Sequence, residues 1–341
     1  MLPHARSAGP GLAAAAAVVA LAGCGGQAAA PAPAPTPAPP LPNAPLPARP
    51  SLWVAKTPVG RVTARVRLTG GPTSVAYARG SVWVTHDDGH LLRIDPRTDR
   101  IVRRARTGRF PVSIAFSPGA VWIANSADDT VSRLDLRTGR QTATVVVGDQ
   151  PTGLATAAGA LWVANGLDDT VTRVDVNTGL VTATIHVGEP PSAIRTVAAA
   201  GGAVWVTGRD LLSRIDPITN RVVARIRVSS PSGPAITRDA IWVANQDDDT
   251  VTRLDPRTGR RVATVEVGMS PTFVAAAGRF AWVLNNGEAT VTQIDAFTTP
   301  PVGKIRVGPL SYRLAAGGGA VWVQSYPERA VYRIEPRPGV D

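Results

Sequence analysis

The chain has 341 residues, a formal net charge of +11, 44% hydrophobic residues, 33 glycines and 31 prolines. Its single cysteine excludes an internal disulfide, and its apolar content suits one large β domain or two smaller ones. The basic charge permits contact with nucleic acid, anionic lipid or acidic polymers and selects none of them.

At the amino terminus a short region with Arg6 precedes an apolar run of 13 residues, Gly11 to Gly23. A bilayer span takes ~20 residues, so the run fits a secretory signal instead. It ends in Leu21-Ala22-Gly23-Cys24, which resembles the bacterial lipobox, where cleavage precedes a lipid-bearing cysteine. The resemblance implies that residues 1–23 are a lipoprotein signal peptide. It also implies lipidation of Cys24 and an anchor on the extracytoplasmic face of the bacterial cell membrane. Residues 24–50 are a Pro/Ala-rich linker. Such a composition favours extended polyproline II at ~3.1 Å per residue, long enough to hold a domain off the membrane.

Residues 51–341 form the remaining domain, and most of it repeats. Tryptophans at 83, 122, 162, 205, 242, 282 and 322 are spaced by 39, 40, 43, 37, 40 and 40 residues. Within residues 150–188 four β-like runs are separated by turn chemistry: Gly153–Thr156, Leu161–Asn165, Thr170–Asp175 and Val181–Val187. Four strands per ~40 residues describes a propeller blade. The sequence Asp-Pro-Arg-Thr-Gly at 255–259 supplies a type I turn with glycine where φ is positive. Related turns follow the same strand in other repeats. The phrases Val-Trp-Val-Ala-Asn, Asp-Asp-Thr-Val and Val-Ala-Thr-Ile-x-Val-Gly resemble the YVTN-type β-propeller repeat over nearly all of residues 60–341. That resemblance implies a fold and leaves function open.

With the blade strands lettered A to D, seven A–B pairs are present, but the last repeat stops after strand C, at Tyr332–Glu335. Residues 61–69, Arg-Val-Thr-Ala-Arg-Val-Arg-Leu-Thr, match strand D at 140–148. The expected fold is therefore an all-β, seven-bladed propeller of four-stranded blades. Its ring is closed by an N-terminal strand D in the last blade. Trp53, only 30 residues before Trp83, anchors no eighth blade.

By the usual propeller convention, D–A and B–C loops share the top face, and A–B and C–D loops share the bottom. Acids such as Asp128, Asp129, Asp168 and Asp169 then give an acidic top rim. Arginines such as Arg100, Arg137 and Arg257 give a basic bottom, the side from which the tether enters strand D. The strand-C pairs Arg133/Asp135, Arg173/Asp175, Arg214/Asp216 and Arg253/Asp255 are expected to form an inter-blade ion-pair ladder. The repeats diverge most around the top mouth of the channel. There Arg109, Phe110, Glu189, Arg195, Phe273, Tyr312 and Arg313 form the candidate ligand-binding rim, suited to an anionic or aromatic ligand.

Catalytic candidates are few. His86 and His90, with Asp87 and Asp88, form the one cluster that resembles a catalytic or divalent-ion site. The phrases Pro151-Thr152-Gly153-Leu154-Ala155 and Leu161-Trp162-Val163-Ala164-Asn165 resemble the repeats of streptogramin lyases, seven-bladed propellers that use histidine, glutamate and magnesium to open a cyclic depsipeptide by elimination. The family's histidine slot holds Thr73, Val112, Thr152, Arg195, Ser232, Thr272 and Tyr312 here. Its glutamate slot holds His86, Asn125, Asn165, Gly208, Asn245, Asn285 and Ser325. No blade keeps either residue. The leading expectation is a non-enzymatic, lipid-anchored monomer that binds a small molecule or an envelope protein through its top face, with no metal or other cofactor. A lyase-like eliminase using His86 or His90 and a nucleic-acid-binding propeller are the alternatives.

Overall fold

The computed structural model describes residues 59–188, 194–237 and 239–336. The proposed signal peptide, Cys24, the linker, Trp53 and Glu189 lie outside the described residues. Twenty-eight strands form seven four-stranded antiparallel sheets arranged as a seven-bladed β-propeller. No helix occurs among the described residues.

Blade three shows why the sequence folds this way. Its strands run Pro151–Ala157, Ala160–Asn165, Thr170–Asp175 and Val181–His186, in that order across the sheet. Every residue of strand B is buried, because the strand has protein on both of its faces. Period-2 alternation divides its side chains between two neighbours. Ala160, Trp162 and Ala164 pack against Val197, Val204, Val206 and Ile215 of blade four. Leu161 and Val163 pack against Trp122 of blade two.

The same arrangement runs round the ring. Each of the seven apolar clusters joins two blades, with the tryptophan of one reaching onto the next. Trp322 of blade seven reaches Val75, Val82, Val84 and Ile94 of blade one and so closes the circle. Opposite each tryptophan, strand A carries alanine: Ala76, Ala115, Ala155, Ala198, Ala235, Ala275 and Ala315. A larger side chain there would compete with the indole for the cross-strand space.

Closure follows the expectation from sequence. Strand Gly60–Arg67 pairs antiparallel with Ala330–Pro336, from Gly60 opposite Pro336 to Arg67 opposite Ala330. Val66 and Leu68 are buried in the cluster that contains Trp322. The first described strand is thus strand D of the last blade, and the ring is joined by hydrogen bonds between chain ends.

The strand-C arginines do not form the expected ladder. Their guanidinium carbons lie over the tryptophan of the adjacent strand, at 5.6 Å for Arg133 on Trp122 and Arg173 on Trp162. Arg214 on Trp205 and Arg253 on Trp242 are at 5.8 and 5.7 Å. This is cation–π geometry. Cross-strand pairing dictates it, since each arginine stands opposite its tryptophan, as Arg173 does opposite Trp162. The acids cap turns instead: Asp135 accepts from the amides of Arg137 and Thr138 at 3.1 and 2.7 Å. These contacts hold its carboxyl below the usual carboxylate range, the Thr138 amide most of all. Only Arg333 reaches a neighbouring blade's acid, Asp99, at 3.5 Å.

Arg93 alone among the stacked arginines satisfies its Nε, donating to Ser81 at 2.9 Å. The Nε atoms of Arg133, Arg173, Arg214, Arg253 and Arg333 are buried without a partner. Their strand-B neighbours at the serine position are alanines, among them Ala160 opposite Asp175.

Two outcomes are expected. Deleting residues 60–69 abolishes a single cooperative unfolding transition or lowers stability by at least about 3 kcal/mol, since Val66 and Leu68 alone lose their burial. Chemical denaturation monitored by circular dichroism checks it; loss of one blade with the rest intact is not expected. Ala160→Ser gives Arg173 Nε an acceptor and raises stability by ~1 kcal/mol, measured in the same way.

Candidate functional site

The two loop sets meet as the propeller convention requires. On the bottom, Leu136 and Val176 of C–D turns donate to the carbonyls of Gly119 and Gly159 in A–B turns. On the top, D–A loops lie against B–C loops. Gly108 donates its amide to Asn125 Oδ1 at 3.0 Å, and Asp149 donates to Asp168 at 3.0 Å.

The top acids are largely occupied by these loops. In the loop before blade three, Asp168 of blade three accepts from the Asp149 amide, while Asp129 of blade two accepts from the Gln150 amide at 2.8 Å. Asp249 grips the Ser270 amide at 2.7 Å in the same way. Gln150 and Ser270 have φ of 53° and 50°, as do Phe110, Ser230 and Leu310 at 47°, 42° and 46°. Non-glycine residues pay for the left-handed region, and the acid–amide bonds at Gln150 and Ser270 hold them there. The expected acidic rim is therefore less a charged surface than a set of braces between blades. Asp128 is an example: the backbone amide and guanidinium of Arg109 hold its carboxyl below the usual range.

The slots that carry lyase chemistry in the resembling family do structural work here. Asn165 Nδ2 donates to Thr170 and Thr172 at 2.8 and 2.9 Å, and Asn245 donates to Thr250 and Thr252 at 2.7 and 2.8 Å. Asn125 and Asn285 do the same in blades two and six. In the histidine slot, Ser232 donates to the Thr272 carbonyl at 2.8 Å, and Thr73 donates to the Pro111 carbonyl. Both bonds stitch one blade to the next.

His86 is buried, at 2% exposure, with Nδ1 2.7 Å from Asp88. His90 Nδ1 lies 2.8 Å from the same Asp88 oxygen, and Arg104 pairs with the other. Burial pushes the Asp88 carboxyl up, but the hydrogen bonds from His90 and His86 more than offset it and hold it below its ordinary value. One carboxylate thus serves three cationic or donor groups. Asp87 Oδ1 lies 3.4 Å from His86 Nδ1, while its Oδ2 accepts from the Gly71 amide and the Tyr326 hydroxyl, each at 3.1 Å. The described residues contain no group of three or more His, Cys, Asp or Glu side chains able to hold a metal ion.

A different arrangement occupies the channel. The residue two after the strand-A proline, or its equivalent by register, forms one layer of the ring: Ser74, Ser113, Gly153, Thr196, Gly233, Phe273 and Arg313. Five are small. The two large ones are neighbours, and the Arg313 guanidinium lies over the Phe273 ring with its carbon 4.8 Å from the centroid. Gly233 makes room for that ring, since a Cβ there would stand 2.6 Å from Phe273 Cα. Arg313 then crosses the axis to the Thr152 carbonyl of blade three, 3.5 Å from Nη2. No carboxylate among the described residues pairs with it, and burial lowers its pKa to about 10. A cavity of 370 Å³ lies alongside, lined by strand-A residues from all seven blades.

The rim residues expected from sequence separate into two groups. Phe273 and Arg313 meet in the channel. Arg195 lies at the seam of blades four and five, with Nη1 3.2 Å from Ser230 Oγ and 3.3 Å from Gln246 Oε1. Arg109, Phe110 and Tyr312 lie on D–A loops just before strand A, Phe110 and Tyr312 being about half exposed at 47% and 48%. Arg109 is bound to Asp128 and the Ala127 carbonyl, so it does not converge on Arg313. Gly233 and the Thr152 carbonyl were not singled out by sequence. Aligning the strand-A segments on the prolines of five blades, and on the tryptophan period in the other two, marks the first, because bulk and its absence fall in one layer.

The fold is a seven-bladed β-propeller, and among the described residues Arg313 is the one charged side chain lining its axial cavity. Residues 167–307 match the family model described as outer membrane protein assembly factor BamB. No curated protein matches the chain. Among solved structures, a streptogramin B lyase is similar with a TM-score of 0.72 at 14% identity, over 80% of this chain and 97% of that one. A catalytically inactive virginiamycin B lyase from Staphylococcus aureus, with quinupristin, has a TM-score of 0.71 at 14% identity, over 80% and 99%. Hydrazine synthase from Kuenenia stuttgartiensis has a TM-score of 0.68 at 16% identity, over 80% and 96%. At these identities the likeness is one of fold. It agrees with the streptogramin-lyase resemblance of the repeats, while the YVTN-type resemblance rests on the repeat residues themselves.

Asn165→Ala is expected to cost ~1–3 kcal/mol, because it strips the donor shared by two buried threonines. Thermal denaturation checks it. A variant that keeps full stability contradicts the structural role given to this slot.

Proposed function

We propose that the chain is a non-enzymatic, lipid-anchored extracytoplasmic propeller that binds a ligand or a protein partner through its top face. The observation that carries this reading is Arg313, a cation drawn across the channel without a carboxylate partner among the described residues. An uncompensated charge at a concave site costs stability, and such a cost is typical of binding sites. The lipobox-like Leu21-Ala22-Gly23-Cys24 and the Pro/Ala linker support the anchor. The match to a family model described as outer membrane protein assembly factor BamB supports an envelope location and a protein partner as one class of occupant.

The eliminase reading has less support. The asparagines of the glutamate slot and the hydroxyls of the histidine slot hold strands together, and His86 is buried against Asp88. Nucleic-acid binding on the top face would have to overcome acids fixed there as loop braces.

The test uses the full chain in a bacterial envelope. Photocrosslinking residues are placed on top at Phe110 or Tyr312 and on the bottom at Ile218 or Phe297, all exposed. Specific adducts from the top positions, and palmitate labelling that Cys24→Ser abolishes, are the expected result. Adducts from the bottom positions alone overturn the top-face reading, and labelling that survives Cys24→Ser overturns the anchor.

A further inference from the structure

We infer that the axial channel is a binding site for a slender amphipathic monocarboxylate, with its carboxylate on Arg313 and its apolar tail down the channel. This rests on the top-face reading and gives it a ligand class.

The argument starts from the charge. A guanidinium has five donors. The described residues offer Arg313 one long hydrogen bond, 3.5 Å to the Thr152 carbonyl, and one aromatic face. Neither neutralises it. The other buried arginines of the propeller differ in kind: each strand-C arginine stacks on a tryptophan as part of the repeat. Arg313 belongs to no repeated motif, since its layer holds Ser74, Ser113 and Thr196 in other blades. It is also held in place. Gly233 gives Phe273 its seat, Phe273 supports the guanidinium, and the Thr152 carbonyl fixes its far end. Binding groups gain from being set in position before the ligand arrives.

The number of cations sets the charge of the ligand. Among the described residues, Arg313 is the only charged side chain lining the cavity. A single arginine matches one planar carboxylate, which it can hold in a bidentate fork. A phosphate monoester carries nearly two charges and would be half-neutralised. The walls set the remainder. Beside Arg313 the cavity is lined by Val75, Leu154, Val197, Ile236 and Leu314, together with five of the alanines that face the tryptophans. Most of the lining side chains are apolar; the polar ones besides Arg313 are the hydroxyls of its own layer and of Tyr77, and the backbone edges of the strand-A segments add polar groups along the wall. A volume of 370 Å³ lies at the lower end of ligand cavities, which run ~300–1,000 Å³, so the tail is short or thin. Tyr77 lines the same cavity at the far end of strand A and packs on Gly317 and Gly318. It bounds the tail below.

The experiment uses the full-length chain carrying Cys24→Ser, titrated calorimetrically with octanoate, octanol, octylamine and inorganic phosphate. The expected result is one-to-one binding of octanoate, with little or no binding of the other three. Arg313→Gln should weaken octanoate ~10-fold to ~100-fold, the range for a lost charge-assisted hydrogen bond. It should also leave the melting temperature unchanged or raised, because a part-buried cation without a carboxylate partner has been removed. Failure of octanoate to bind overturns the inference, as does binding that survives Arg313→Gln. A melting temperature lowered by Arg313→Gln makes the arginine a structural strut and also overturns it. Phosphate binding without octanoate moves the site to a different anion and rejects the monocarboxylate. None of these failures affects top-face crosslinking, so they leave the broader reading to its own test.

Discussion

The architecture depends on one contact repeated seven times: a strand-B tryptophan that leaves its own blade and packs on the next. A single four-stranded sheet of this size exposes both faces and cannot bury an indole. Two sheets can, and a ring lets every sheet serve as donor and acceptor of the same contact. The alanines opposite the tryptophans and the arginines stacked on them follow from that choice. Blade six shows the dependence by exception. Gln293 replaces the arginine there, and Phe280 takes the place of the small residue and meets Trp282 edge-on at 6.3 Å.

The fold was legible because its determinants recur. The tryptophan period, the Asp-x-x-Thr-Gly turns and the orphan strand at residues 61–69 are each sequence-local, and together they left little freedom in topology. The arginine–aspartate pairs misled for a definite reason. Alternation correctly places Arg133 and Asp135 on one face, but it does not say what stands across the strand, and Trp122 does. Among the described residues no acid of the next blade comes within ion-pair distance of Arg133, Arg173, Arg214 or Arg253, and each stacks on its indole instead.

The site was only half legible. Phe273 and Arg313 stood out because they break the repeat, and the structure brings them together. Arg109 broke the repeat equally but is bound to Asp128 on an outer loop. Departure from a repeat marks where something differs, not which way the side chain points. The acids of the top loops were misjudged on similar grounds. Their formal charge is visible in sequence, whereas their partners are mostly backbone amides of the D–A loops, for Asp129 and Asp249 those of the left-handed residues Gln150 and Ser270, and no residue type announces those.

The pairing of Gly60–Arg67 with Ala330–Pro336 also sets an order of events. The first of the described strands has its partner in the last of them. Until the carboxyl end has been delivered, the opening strand is an unpaired edge carrying Val62 and Val66, and blade seven presents a second such edge. Contacts between such distant segments form slowly, because the closure entropy of the intervening chain is paid first. Six blades can stack as they emerge, but the circle is completed in one late step. The protein spends its assembly time as an open arc with two adhesive ends, and the same two ends on neighbouring molecules are the natural route to misassembly.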